Sequence, residues 1–202
     1  MPIFLILFIL FIIWLNVKTK RGQNNISKWD TDYWKKERES NFVRRKDISD
    51  LDYIVISEND LPFSDTAEGE EKERQEQVRR VLSNKILNLS GMSNADIKLT
   101  YGTANFPELS MYDQNYLLLL RNLGLWGSYL HRKCSGQDDR AKQILELAIS
   151  LGSDIRDTYI SLAEIYLDNH QPEKVKELIR QIEESDFDLK KSLLQSLHAL
   201  LE

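Results

Sequence analysis

The sequence predicts an all-α protein. Long Leu/Ile-rich stretches alternate with Glu/Lys-rich ones, only eight Gly and four Pro fall among 202 residues, and Ser, Asp or Pro stands where each amphipathic stretch opens. The expected organisation is an N-terminal membrane-anchor helix over residues 1–17, a basic juxtamembrane and extended linker region over 18–64, and a C-terminal array of antiparallel helix hairpins over 65–202.

Met1 to Val17 carry no charged side chain, and Ile3 to Leu15 are unbroken Ile, Leu, Phe and Trp. A cleavable leader needs basic residues before such a run and small residues after it, and neither is present. As a helix rising ~1.5 Å per residue the segment reaches about 25 Å, slightly short of a ~30 Å hydrocarbon core. Lys18 and Lys20 can snorkel to close the gap, with Trp14 at the interface. The competing reading is a buried N-terminal core helix. Lys18, Lys20, Arg21, Lys28, Lys35 and Lys36 all follow the run, so the positive-inside rule expects a single-pass protein of the cell membrane with its C-terminal domain in the cytoplasm. The lone Cys134 suits a reducing compartment, since it has no intrachain partner.

Charge is distributed unevenly. Residues 18–46 hold ten Lys/Arg against four Asp/Glu, a balance of +6, so the overall −5 leaves −11 on residues 47–202. A basic collar beside an apolar run complements an anionic leaflet, and Trp14, Lys18, Lys20, Arg21, Trp29, Arg44, Arg45 and Lys46 are the expected membrane-surface residues. The acidic remainder shows no reader motif, which argues against nucleic acid as a partner.

Gly22 and Asn24-Asn25 read as linker. Residues 29–46 favour helix without one clean apolar face: Trp29 and Tyr33 lie four apart, whereas Trp34 points elsewhere. Asp50 to Ser57 read as extended chain, closed by a turn at Asn59–Pro62. Asp65 with Glu68 resembles a capping box for a helix whose second half carries Val78, Val81, Leu82, Ile86 and Leu89, stopped by Ser90-Gly91. Ser93 with Asp96 opens a short helix that Gly102 and Pro107 end. Ser110 with Asp113 opens Met111–Lys133, apolar almost all round and so expected to be buried between neighbours. Helices at Arg140–Leu151, Asp154–Asn169, Pro172–Glu184 and Leu189–Leu201 follow, opened by Asp138 or Asp139, Ser153, Pro172, and Ser185 with Asp188, with Gly152 as a stop.

Residues 111–185 resemble the tetratricopeptide family, whose unit is a helix pair of about 34 residues. Tyr159, Leu162, Ala163 and Tyr166 match the first-helix pattern, and Val175, Ile179 and Ile182 the second. In the preceding pair Trp126-Gly127 resembles the Leu-Gly step, followed by Ala141, Leu145 and Ala148. Val175 replaces the usual small residue, His170 the usual turn glycine, and Phe187 falls near the usual proline. A second block, with Trp34, Glu37-Arg38-Glu39, Asn41, Arg44 to Ile48 and Leu51 to Ile54, resembles small membrane-anchored proteins of uncharacterised function from anaerobic Gram-positive bacteria. That resemblance implies an architecture and no activity.

Chemistry is sparse. The chain has no phosphate-cradling glycine loop, HExxH, paired CxxC or GxSxG, so no enzyme, cofactor, metal or small-molecule substrate is expected. His131 with Cys134, three apart, is the best alternative, a thiol-based sensor or enzyme. Asp157, Ser161, Glu164 and Asp168 share one face of the helix that lines the groove in tetratricopeptide proteins, which implies binding of another protein or a basic peptide segment. The expected function is a membrane-anchored protein–protein interaction module, with a structural accessory subunit of a membrane complex as the alternative.

Overall fold

The computed structural model describes Phe8, Phe11, Ile12, Trp14, Leu15, Lys18, residues 32–186 and residues 190–201. These residues are helical or irregular, with no strand among them. The chain is all-α. Its helices are α1 (residues 32–40), α2 (Gly69–Leu82), α3 (Asn94–Tyr101), α4 (Phe106–Lys133), α5 (Asp138–Ser150), α6 (Arg156–Asp168), α7 (Pro172–Glu184) and α8 (Lys190–Leu201). Among the described residues no helix is long and apolar enough to cross a membrane. The described residues between 8 and 18 are helical and exposed, and Lys18 Nζ sits 4.8 Å from the Trp14 ring centre. The rest of the anchor expected over 1–17 lies outside the described residues, as do Lys20, Arg21 and Trp29.

The chain divides into two compact units, Met1–Asp50 with Gly91–Leu109, and Leu51–Ser90 with Ser110–Glu202. This differs from the linear order expected, because residues 91–109 group with the N-terminal part and residues 51–64 with the later helices.

In the first unit α3 opens on the expected capping box. The Asp96 N–H donates to Ser93 Oγ (3.2 Å), and the Ser93 N–H donates to Asp96 Oδ2 (3.1 Å). Lys36 of α1 pairs with Asp96 at 2.7 Å, and Lys98 of α3 pairs with Glu37. Hydrogen bonds from Lys36 and then Ser93 hold the Asp96 carboxyl at about 2. A carboxyl lowered in the folded state stabilises that state above its ordinary pKa of 3.8, and the contribution is lost as pH falls through about 2. Carboxyl carbon shifts followed by NMR should show this midpoint, and Ser93→Ala should move it up. An unchanged midpoint in the variant would remove the cap from the explanation.

Gly102 ends α3 at φ +93 and lies directly against the backbone of Arg44 and Arg45. The Lys46 N–H donates to Tyr101 O (3.1 Å), and the Thr103 N–H donates to Val43 O (3.2 Å). Fully buried Asn105 donates to Lys46 O and Tyr101 O at 2.7 and 2.8 Å, and accepts from Arg45 Nε at 2.8 Å. Arg44, Arg45 and Lys46 keep exposed side chains, but Arg45 is committed to Asn105 and lies 3.8 Å from Glu108.

In the second unit α2 departs from expectation at both ends. The residue before α2 is Glu68, which makes no side-chain cap, and the Asp65–Glu68 capping box is not formed. The chain there is held by the Ser64 N–H, which donates to Oε1 of buried Gln75 at 3.2 Å. α2 then stops at Leu82 instead of Leu89, because Ser83 Oγ and Asn84 Nδ2 both donate to Arg80 O (2.9 and 2.6 Å) and compete with the next helical turn. Ile86, Leu87 and Leu89 are buried in irregular chain. Their amides and carbonyls pair elsewhere: Ile54 N–H to Ile86 O (2.9 Å), Leu87 N–H to Tyr112 O (3.2 Å), Leu89 N–H to Asp113 Oδ1 (2.9 Å). α4 begins at Phe106, ahead of the expected Ser110, since Pro107 falls in a first turn that needs no donor from it.

The core of this unit joins α4 to α8 with the irregular segments. Trp126, Leu130, Leu145, Leu162, Ile165, Ile182, Leu193 and Leu197 are buried, and α5–α6, α6–α7, α7–α8 and α6–α8 pack together. Gly127 brings α4 against α5, where a Cβ would stand 2.6 Å from Leu145 Cγ and 3.3 Å from Ala141 O. Phe63 stacks on Trp126 at 5.1 Å, and Arg140 donates to Pro62 O from Nε and Nη2 at 3.0 and 2.8 Å. Leu61 is thus part of the core, and Ile54, Ile56 and Phe63 pack against it.

Candidate functional site

α4 is not buried all round. Met111, Leu118 and Leu125, at seven-residue intervals, are 52, 45 and 40 % exposed, and Leu117 is 55 % exposed. Such spacing draws one apolar stripe along a helix, the pattern by which one helix receives another. Leu118, Arg121, Asn122 and Leu125 form one wall of a cleft of about 480 Å³ whose other wall is Glu70, Glu73, Arg74 and Gln77 of α2. A hollow of about 200 Å³ shares Glu70, Arg74 and Leu125 and reaches Ser128, Tyr129, Arg132, Lys133 and Asp157 of α6. The opening thus runs over α2, α4 and the start of α6.

Its charges are only partly neutralised. Arg74 pairs with Glu70 at 2.5 Å and lies 5.0 Å from the Tyr129 ring centre. Glu73, Arg121 and Lys133 have no ion-pair partner among the described residues. The cleft therefore presents a leucine floor, a free carboxylate on the α2 side and a free guanidinium on the α4 side.

The acidic stripe read on α6 has a different character. Ser161 is fully buried and donates to Ser128 Oγ at 2.9 Å, so it joins α6 to α4 and does not face the groove. Its place in the pattern reflected helical phase alone, and α4 covers that part of the face. Asp157 is bound by Arg132 at 2.8 Å, and Glu164 lies 3.6 Å from Arg132 and 3.5 Å from His131 Nε2. Asp168 is exposed. Partial burial works against the Arg132 charge, but Asp157 and Glu164 outweigh it and raise the pKa of the guanidinium. Arg132 was missed in the sequence. Its position in the last turn of α4 suggested only a complement to the helix dipole.

His131 and Cys134 are not brought together. His131 Nδ1 lies 2.7 Å from Asp138 Oδ1, a bond between the end of α4 and the start of α5. Cys134 is half-buried beside Tyr129, whose phenol is pushed up by burial first and then by the neighbouring thiol. No group of three or more His, Cys, Asp or Glu that could hold a metal ion occurs among the described residues. Compared with known families, curated proteins and solved structures, the chain matches none.

Proposed function

We propose that this protein is a membrane-anchored interaction module, a scaffold or adaptor that holds a helical segment of another protein in the cleft between α2 and α4. The observation that carries this reading is the exposed Met111–Leu118–Leu125 line, because large apolar side chains left open along one helix face in a charged frame mark a docking site. We favour this partner over the basic peptide expected on α6, since Arg132 already supplies a cation to Asp157 and Glu164. The apolar run at 3–15 and the basic residues behind it support attachment to the cell membrane with the helical unit in the cytoplasm.

A tetratricopeptide-like arrangement of α4 to α7 belongs to the same proposal. It is supported by the close approach of Gly127 to Ala141 and Leu145, by burial of Tyr159, Leu162, Ala163 and Tyr166, and by φ +56 at His170, where the repeat usually has glycine. We assign no catalytic role. Among the described residues Cys134 has no ligand set around it, and His131 is bonded to Asp138.

Leu118→Asp with Leu125→Asp tests the reading. Both side chains are substantially exposed, so the fold should survive, with unchanged helical circular dichroism. Crosslinking in intact cells followed by capture from detergent-solubilised membranes should yield a partner with the parent chain and lose it with the double variant. Recovery in unchanged amount would rule the cleft out, and a fixed stoichiometry through purification would make the protein a structural accessory subunit of a complex.

A further inference from the structure

We propose that α1 carries a second membrane contact, a surface-lying aromatic and basic stripe that engages an anionic leaflet. One side of α1 is committed within the first unit: Ser40 is fully buried and bonds to Glu37 O at 2.7 Å, Lys36 pairs with Asp96, and Glu37 pairs with Lys98. The opposite side carries Trp34, Arg38 and, just past the helix end, Phe42, at intervals of four residues. Trp34 is 56 % exposed and Phe42 87 % exposed, with Arg38 exposed between them. An outward Trp and Phe on one line are unfavourable in water and favourable at a headgroup boundary, where the indole sits at the interface and the phenyl ring below it.

The accompanying charges select the occupant. Lys35 and Arg38 flank the aromatics, Arg44 follows, and none of the three has an ion-pair partner among the described residues. Asp32 and Glu39, the exposed acids of α1, lie more than a quarter turn round the helix from Arg38 at ~100° per residue. Cations around an apolar stripe match phosphate and carboxylate headgroups, each contributing up to ~1 kcal/mol where it reaches the surface.

Covalent reach agrees, and here the proposal rests on reading residues 1–17 as the anchor. Sixteen residues lie between Val17 and Trp34, a reach of at most about 60 Å of extended chain, so α1 cannot leave the neighbourhood of a bilayer that holds the apolar run. Trp34 meets the Tyr33 ring edge-on at 5.4 Å and stands at four-residue intervals with Arg38 and Phe42.

The test uses the full chain in a Cys134→Ser background, with an environment-sensitive fluorophore on Phe42→Cys or, separately, on Leu15→Cys. Each is reconstituted into phosphatidylcholine vesicles with and without about one third phosphatidylserine. Emission from position 42 should rise several-fold and shift to the blue only with phosphatidylserine, and Lys35→Glu with Arg38→Glu should return it to the phosphatidylcholine value. Position 42 in water in both lipids, or equal emission in both, overturns the proposal. If position 15 reports lipid while position 42 does not, the anchor stands and the α1 contact falls. If position 15 also reports water, the anchor reading fails with it.

Discussion

Trp126→Ala should be the most damaging single truncation in the second unit, costing about 3–5 kcal/mol. The indole is fully buried and stacked on Phe63, and Arg79 of α2 lies 4.3 Å from the centre of the Phe63 ring. Removing it leaves a cavity and also loosens residues 51–64, whose Phe63 ring loses its stacking partner while Arg140 still holds the Pro62 carbonyl and Arg79 the ring. Urea unfolding of the variant should show the loss in midpoint. Trp126→Phe keeps the stack and removes an Nε1–H that has no partner among the described residues, so its cost should be smaller, about 1–2 kcal/mol. A Trp126→Ala protein as stable as its parent would mean that Phe63 does not pack there.

Gly102→Ala should disrupt the first unit comparably, by about 3 kcal/mol or more. Two costs combine at this position. The backbone is at φ +93, and a Cβ would fall 2.8 Å from Arg45 Cα and closer still to the Arg44 carbonyl, which are main-chain atoms that no rotamer change can move. Gly91→Ala separates the two, since Gly91 has φ +84 with open space around it and should cost only about 1 kcal/mol. Amide exchange at Lys46 and Thr103 should accelerate strongly in the first variant and little in the second. Equal acceleration would assign the whole effect to φ.

The legible parts of the fold were those with local causes. The Ser93–Asp96 box, Pro172 at a helix start and Gly152 as a stop act within one turn, and α3, α7 and α5 begin or end there. The end of α2 was obscured because Ile86 and Leu89 are buried at helical spacing while sitting in irregular chain, held by partners 24 to 32 residues away. Periodicity reports burial; it does not report which backbone delivers it. For the site, the acidic phase of α6 was readable, but its neutralisation by Arg132 depends on helix packing that no spacing rule encodes. The open stripe on α4 was hidden by its own hydrophobicity, since leucine at 118 and 125 reads as core until the neighbouring helices are placed.

Asn105 imposes an order on synthesis. Arg45 waits 60 residues for the amide that orients it, and Lys46 waits 59. At the ~5–20 residues per second of translation, the basic stretch at 44–46 emerges several seconds before Asn105 exists to bind it. Closing so long a loop is an entropic cost that local helix formation does not share. During that interval the cationic segment is available to whatever anionic surface the nascent chain first meets.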